Sequence, residues 1–184
     1  MKGRLIIISA PSGTGKTSVI HRLLKKHPRM IHSVSWTTRP KRAQEVHDKD
    51  YHFTDEATFK KGIEAKTFAE WAEVHNSFYG TPKGPIDQWL QEGRDVLLDI
   101  DVQGGTNLKK LYGETALSIF LLPPSVEELK RRLSGRKTDS PKERQVRLEN
   151  AKKELTYKDK YDFQVVNDDL EKACREIEKI VERV

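Results

Sequence analysis

Thiols and long apolar runs are nearly absent from this sequence of 184 residues. The single cysteine, Cys174, excludes an intramolecular disulfide, and no cluster of histidine and cysteine lies beside it to suggest a metal site. No apolar stretch approaches the length needed to cross a membrane. The first residues lead straight into an apolar strand and carry no pattern of a signal peptide. These absences predict a cytoplasmic protein with no membrane partner.

Dense basic runs are also absent, although the chain is basic overall. Lysine and arginine number 34 against 28 acidic residues, which gives a formal net charge of +6. This charge suits anionic ligands such as nucleotides, but it is spread along the chain and not gathered into a nucleic-acid-binding tail. The aromatic residues are scattered and form no stacking surface in the sequence. We therefore expect no nucleic-acid partner.

The first recognisable motif lies near the N-terminus, where an apolar run leads into a loop of small residues. The pattern predicts a buried strand over Leu5–Ile8, a loop over Ser9–Gly15 and a helix that opens at Lys16 and Thr17. This order is typical of a phosphate-binding loop, in which glycines let consecutive N–H groups point inward. The helix N-terminus adds partial positive charge, Lys16 can reach terminal phosphates and the Thr17 hydroxyl can ligate Mg²⁺. Ala10 stands where the pattern usually has glycine, and we interpret it as a tolerated variant.

A second buried strand is predicted over 95–101 and ends in two carboxylates. Short apolar strands separated by helices indicate a parallel α/β sheet, in which ligands gather at the carboxyl ends of the strands. Asp99 and Asp101 stand two residues apart, so we expect them to share one face of that strand beside the phosphate loop. One of them could hold Mg²⁺ through water. The alternative is a pair of exposed strand-end acids that bind nothing.

A basic stretch interrupted by glycine and proline, Arg131–Pro141, lies between two predicted helices. Such a segment could close over a bound nucleotide, supply positive charge to a phosphoryl group and exclude water. A solvated basic surface is an equally good interpretation of the composition alone. The first of the two helices is predicted to begin after Ser125, because Ser125 and Glu128 match a capping box.

Several motifs in order along the chain resemble those of guanylate kinase. They are Ala10–Thr17, Ser33–Arg42, Glu45 with Lys49–Tyr51, Glu70–Ala72 with Tyr79–Gly80, Leu98–Gly104, Pro123–Ser125, Gly135–Thr138 and Val166–Asp168. Apart from the phosphate loop no single motif is specific, but together they cover nearly the whole chain. The resemblance implies transfer of the γ-phosphoryl group of ATP to GMP, with dGMP as a second expected acceptor, in a direct in-line step that needs Mg²⁺.

The resemblance also implies an α/β fold, with a P-loop NTPase-like parallel sheet core flanked by helices. A small mixed β/α lobe that binds GMP is inserted into the core, and a short helical lid follows. The expected boundaries are 1–32, 93–126 and 157–184 for the core, 33–92 for the GMP lobe and 127–156 for the lid. The nucleotides would be the only partners, and both a monomer and a homodimer stay open.

The resemblance assigns the site residues by their position in these motifs. The ATP site would comprise Ser12, Gly13, Thr14, Gly15, Lys16, Thr17 and Ser18, with Asn167 and Asp168 on the adenine side. The GMP phosphate would be held by Arg39, Arg42, Tyr51 and Tyr79, and guanine would be read by Ser35, Glu70 and Thr81, with Glu45, Asp99 and Asp101 nearby. The catalytic cations would be Lys16, Arg42, Arg132, Arg136 and Arg147. Mg²⁺ would be held by Thr17 and, through water, by Asp99.

Two other functions share parts of this pattern. A non-catalytic guanylate-kinase-like module that binds phosphorylated protein segments would lack a working phosphate loop, yet Lys16 and Thr17 are present. A relative that phosphorylates a ribose bisphosphate would be expected to lose the guanine-reading groups, yet Ser35 and Glu70 remain. The sequence therefore favours the kinase.

Overall fold

The computed structural model of the protein describes residues 3–74, 76–134 and 141–183. In chain order the elements are β1 (Leu5–Ser9), α1 (Lys16–Lys26), β2 (Ile31–His32), β3 (Trp36–Thr37), β4 (His52–Phe53), α2 (Glu56–Glu64), β5 (Phe68–Val74), β6 (Ser77–Pro82), α3 (Lys83–Gln91), β7 (Val96–Asp99), α4 (Val102–Tyr112), β8 (Ala116–Leu122), α5 (Val126–Ser134), α6 (Pro141–Leu155), β9 (Phe163–Val166) and α7 (Leu170–Arg183). Short 3₁₀ turns lie at Gly113–Thr115 and Lys158–Lys160.

Five of the strands form a parallel sheet in the spatial order β2-β7-β1-β8-β9. The central strand β1 is fully buried on both faces, which explains why its sequence is a continuous apolar run. Ile6 and Ile8 point into a cluster with helices α1 and α7, whereas Leu5 and Ile7 point into a second cluster with α3 and α4. The predicted parallel sheet flanked by helices is confirmed.

A second, four-stranded sheet has the order β4-β3-β6-β5. Strands β5 and β6 pair antiparallel and form a hairpin. The Phe59 ring from α2 stacks on Phe68 and Phe78, with ring centroids 4.4 and 5.5 Å away, so this helix covers one face of the hairpin. The first sheet supplies the strand ends beside the phosphate loop, and the second supplies a separate wall of polar side chains.

The strand predicted over 95–101 ends two residues earlier in the structure. Strand β7 ends at Asp99, and Asp101 instead caps helix α4, because its Oδ1 atom accepts hydrogen bonds from the backbone N–H groups of Gln103 at 2.8 Å and Gly104 at 3.0 Å. The expectation that Asp99 and Asp101 share a face of one strand is therefore wrong. An aspartate that satisfies two otherwise unpaired amides at a helix start ends the strand there.

Helix α5 begins as predicted after Ser125, whose Oγ accepts a hydrogen bond from the Glu128 N–H at 3.0 Å. Leu129 and Leu133 of this helix pack against Leu148 and Ala151 of α6 in a small cluster of their own. Residues 135–140, and with them Arg136, lie outside the described residues. The predicted boundaries of the core, the GMP lobe and the lid stay predictions. Within the described ranges, no helix combines the length and the apolar character needed to cross a membrane.

Candidate active site

The phosphate loop has a backbone that glycine alone adopts easily. Gly13 and Gly15 have φ angles of 89° and 94°, in the left-handed region that L side chains rarely enter. There is also little room, because a Cβ atom on Gly13 would lie 2.9 Å from Leu133 Cδ2 and one on Gly15 would lie 2.6 Å from Asn167 Nδ2. The two glycines therefore permit both the turn and its close packing against distant parts of the chain.

Two distant side chains hold the loop from behind through one carbonyl group. Asn167 Nδ2 donates a hydrogen bond to the Thr14 carbonyl oxygen at 2.7 Å, and Arg132 Nη1 donates to the same oxygen at 3.2 Å. Arg132 also donates to the Asn167 carbonyl at 3.2 Å and to Glu128 at 2.8 Å. The Thr14 carbonyl thus faces these supports, and an anion would approach the loop from its opposite, open side.

Lys16 lies between the loop and the end of β7. Its Nζ atom donates to the Ile100 carbonyl at 3.1 Å and forms an ion pair with Asp99. Thr17 follows in the exposed first turn of α1. A hydroxyl and a carboxylate are hard oxygen donors of the kind that Mg²⁺ accepts while it keeps several waters, so Thr17 and Asp99 fit a magnesium ion by their chemistry.

The loop opens into a cavity of about 680 Å³ whose opposite wall comes from the second sheet. Most of the residues predicted for the site lie on it. They are Ser12, Gly13, Gly15, Lys16, Thr17, Ser18, Ser35, Tyr51, Glu70, Tyr79, Asp99, Asp101 and Arg132. The fold thus brings together two groups of side chains that are far apart in sequence.

Glu70 is the acidic group of the second-sheet wall. Its Oε1 atom accepts a hydrogen bond from the Thr81 hydroxyl at 2.8 Å, and Thr81 itself is buried behind it. Burial raises the pKa of Glu70 to about 7; the Thr81 hydrogen bond opposes that rise and the charge of Asp101 adds to it. A half-buried carboxylate that faces a cavity can accept two N–H donors from a planar ligand.

Tyr51 and Tyr79 form the neighbouring part of this wall, with ring centroids 6.0 Å apart in an edge-to-face arrangement. Burial raises the pKa of Tyr51 to about 12, so its hydroxyl stays a hydrogen-bond donor at neutral pH. The Arg39 guanidinium lies 5.6 Å from the centroid of the Tyr51 ring, where it stacks as a cation on an aromatic group. This part of the wall can donate several hydrogen bonds to an anion.

Arg39 is fixed in place by Glu45 through two hydrogen bonds of 2.7 and 3.1 Å. The bond to Arg39 lowers the pKa of Glu45, which keeps that carboxylate charged. Glu45 thus holds the guanidinium that lies against the Tyr51 ring. The Arg42 side chain is exposed, with a nitrogen 4.0 Å from Glu45.

The adenine-side residues lie less directly at the cavity. Asn167 is buried under the loop, and Asp168 is exposed and paired with Lys172 at 3.0 Å. Arg147 lies in α6, and Arg136 is outside the described residues. Asn167, whose amide nitrogen is bonded to Thr14, therefore has a structural contact that its motif did not predict.

Sequence reasoning missed one acidic residue on the cavity wall. Glu154, near the end of α6, accepts a hydrogen bond from the Ser12 N–H at 3.2 Å, and burial raises its pKa. It follows two exposed lysines, and such charged runs usually belong to a solvated helix face. Its spacing from the buried Ala151 was the available signal, because residues three apart lie on the same side of a helix.

A parallel sheet whose first strand leads into a glycine-rich phosphate loop, with a second polar wall across one cavity, defines the class of P-loop kinases. The family model for guanylate kinase matches residues 2–184 of the chain. The chain belongs to the guanylate kinase family.

Individual relatives agree with the family model. A guanylate kinase from Thermotoga maritima is 46% identical, over 98% of this chain and 87% of its own. Another from Wolbachia sp. subsp. Brugia malayi is 44% identical, over 99% of this chain and 93% of its own. The crystal structure of guanylate kinase from Anaplasma phagocytophilum superposes with a TM-score of 0.82 at 33% identity, over 99% of this chain and 86% of that one. The predicted family, P-loop kinase fold and enzyme class are confirmed, and the non-catalytic module is not favoured.

Proposed function

We propose that the protein transfers the γ-phosphoryl group of ATP to GMP and forms ADP and GDP. The observation that carries this proposal is a shared cavity of about 680 Å³ in which the phosphate loop faces Glu70 and Tyr79. Direct transfer requires two nucleotides end to end with the reacting oxygens close together. One cavity with a phosphate site on one wall and a base-reading carboxylate on the other suits that arrangement.

On the ATP side, the loop amides and Lys16 would bind the phosphates, and the residues from Ser12 to Ser18, apart from the buried Thr14, line the cavity there. Arg132 lies on the same wall, and we assign it, with Arg136 and Arg147, to neutralising the transferred group. Thr17 and, through water, Asp99 would hold Mg²⁺, which when bound offsets the negative charge of the phosphates. Asn167 and Asp168 are assigned to the adenine side.

On the GMP side, Glu70 would accept the two N–H groups on the edge of guanine. Adenine offers no such pair of donors, and a site built to make these bonds strongly rejects a ligand that lacks them. Thr81 orients the carboxylate through its hydrogen bond of 2.8 Å, and Ser35 lies on the same wall. Since guanine binding needs the ionised form of Glu70, the bound base would lower the pKa that burial has raised.

The GMP phosphate would lie against Tyr51, Tyr79 and Arg39. Glu45 orients Arg39 through its two hydrogen bonds, and Arg42, exposed beside it, completes the cationic group. Asp101, close enough to influence the charge of Glu70, would lie near the bound GMP. Because dGMP has the same base and phosphate, we propose it as a second acceptor.

A coupled assay that offers ATP with GMP, dGMP, AMP, CMP and UMP in turn tests this proposal. We expect turnover with GMP and dGMP and at least a hundredfold lower kcat/KM with AMP, on the order expected when a buried hydrogen-bonding group is left unpaired. Equal use of AMP and GMP would contradict the role of Glu70. The cytoplasm as location and a monomer or homodimer as the assembly stay predictions.

A further inference from the structure

One carboxylate on the cavity wall has no part in the transfer proposed above. Glu154 lies near the end of α6, and its Oε2 atom accepts a hydrogen bond from the Ser12 N–H at 3.2 Å. The side chain is half-buried and lines the same cavity as Lys16. An acidic group therefore holds a main-chain donor of the loop that is expected to bind phosphate.

The charges around Glu154 indicate which part of a nucleotide would compete with it. Burial raises the pKa of Glu154, while the Ser12 N–H and the charge of Lys16 favour its ionised form and Asp101 disfavours it. The carboxylate thus lies within the field of Lys16, the group expected to reach terminal phosphates. A terminal phosphate near Lys16 seeks the same amide donors, and two anions at one amide repel each other.

Movement of Glu154 would affect more than one side chain. It lies one turn from Ala151, which packs with Leu148 against Leu129 and Leu133 of α5. Leu133 is also the side chain that a Cβ on Gly13 would meet at 2.9 Å, so this cluster touches the phosphate loop a second time. Helix α6 is therefore joined to the loop directly through the Glu154 hydrogen bond and indirectly through its packing on Leu133 of α5.

We propose that Glu154 competes with the terminal phosphate of ATP for the phosphate loop, and that its release couples ATP binding to helix α6. The inference rests on the proposed function, because it takes ATP as the ligand of the loop. It adds a specificity-determining residue to that site. The triphosphate displaces the carboxylate from the Ser12 amide, and the end of α6, the helix that also carries Arg147, is freed from the loop.

Isothermal titration calorimetry with ADP and with ATP, in the presence of magnesium and without GMP, tests this inference. Glu154→Gln keeps an oxygen for the Ser12 N–H and removes the charge, whereas Glu154→Ala removes both. We expect both variants to bind ATP about tenfold more tightly than the wild type does, because a competing anion is gone. The affinity for ADP should rise by less than half of that factor, because ADP lacks the phosphate that competes.

Glu149→Gln is the matched control. Glu149 is exposed on the same helix and bonded to Gln145 at 2.9 Å, so this variant should bind both nucleotides as the wild type does. Equal gains for ADP and ATP, no gain, or weaker binding by the Glu154 variants would overturn the inference and leave Glu154 as a support for the loop. Thermal unfolding verifies that each variant is folded. Failure of the proposed function would show separately, as a wild type that binds ATP but does not phosphorylate GMP.

Discussion

The two walls of the cavity are built in different ways. The phosphate-loop wall is formed by a main-chain turn that Gly13 and Gly15 permit and that Asn167 supports from behind. The opposite wall is made of side chains, above all Glu70 and Tyr79, which project from the β5–β6 hairpin. A main-chain wall can bind any polyphosphate, whereas a side-chain wall can distinguish one base from another. Changes on the first wall should therefore affect kcat, and changes on the second should affect the KM for GMP and the choice of acceptor.

The largest effect is expected from Lys16→Ala. Lys16 lines the cavity beside Asp99, so removal of its ammonium group should lower kcat about a thousandfold through lost stabilisation of the transferred group. The backbone amides remain, so the KM for ATP should change much less. The steady-state assay with ATP and GMP measures both parameters. Lys25→Ala, exposed on the same helix, is the control, and Lys16→Ala activity near that of the wild type would refute the role of this wall.

Glu70→Gln should mainly raise the KM for GMP. One guanine N–H would face an amide NH₂ group in place of a carboxylate oxygen, so we expect a rise of about thirtyfold and weaker discrimination against AMP. Glu73→Gln is the matched control, because Glu73 lies on the same strand but does not line the cavity. The side chains that line it from this strand are those of Glu70, Ala72 and Val74. If both variants keep the KM of the wild type, the second wall does not read the base.

The titration of Glu70 offers a test that needs no nucleotide. Its pKa is about 7 in the folded protein against an ordinary value of 4.5, so the folded state binds this proton more tightly than the unfolded chain does. The resulting stabilisation is fully present below pH 4.5 and is lost as the pH rises through about 7. Denaturant unfolding of the wild type and of Glu70→Gln should therefore diverge by about 2 kcal/mol between acidic and weakly basic pH. Parallel curves would mean that Glu70 is not held in a poorly solvated site.

The smallest effect is expected from Glu45→Ala. Arg39 would lose a partner that holds it by two hydrogen bonds, so its guanidinium would be less well ordered for the GMP phosphate. We expect the KM for GMP to rise about fivefold with little change in kcat. Glu56→Ala, which removes an exposed ion pair with Lys60 in α2, serves as the control. A fall in kcat with an unchanged KM would place Glu45 elsewhere in the mechanism.

Local patterns allowed the phosphate loop to be predicted from sequence, because strand, glycines, lysine and helix follow one another within a few residues. The supports of that loop could not be predicted in the same way. Asn167 and Arg132 meet at the Thr14 carbonyl although they lie 153 and 118 residues further along the chain, and only the folded structure brings them there. Strand β2 has only two residues, Ile31 and His32, too few to show a periodicity.

The second wall was predicted only through the resemblance to a family. Glu70 and Thr81 lie on neighbouring strands of a hairpin, and their hydrogen bond depends on a register shift between Phe68 and Glu70 that no sequence pattern specifies. For Asp101, in contrast, the sequence does carry a local signal of its structural role. Its position just before helix α4 is a recognisable capping signal, but the preceding apolar run favoured a longer strand.

The central claim is that both nucleotides lie in one cavity, and a bisubstrate ligand tests it most directly. A compound in which adenosine and guanosine are joined by five phosphates should bind one molecule per chain. It should bind at least about tenfold more tightly than ATP or GMP alone, because linking the two halves removes one association cost. Titration calorimetry with the free enzyme, with the ATP-saturated enzyme and with the GMP-saturated enzyme measures this. Competition with both ATP and GMP is the predicted result, and binding that competes with only one of them would contradict it.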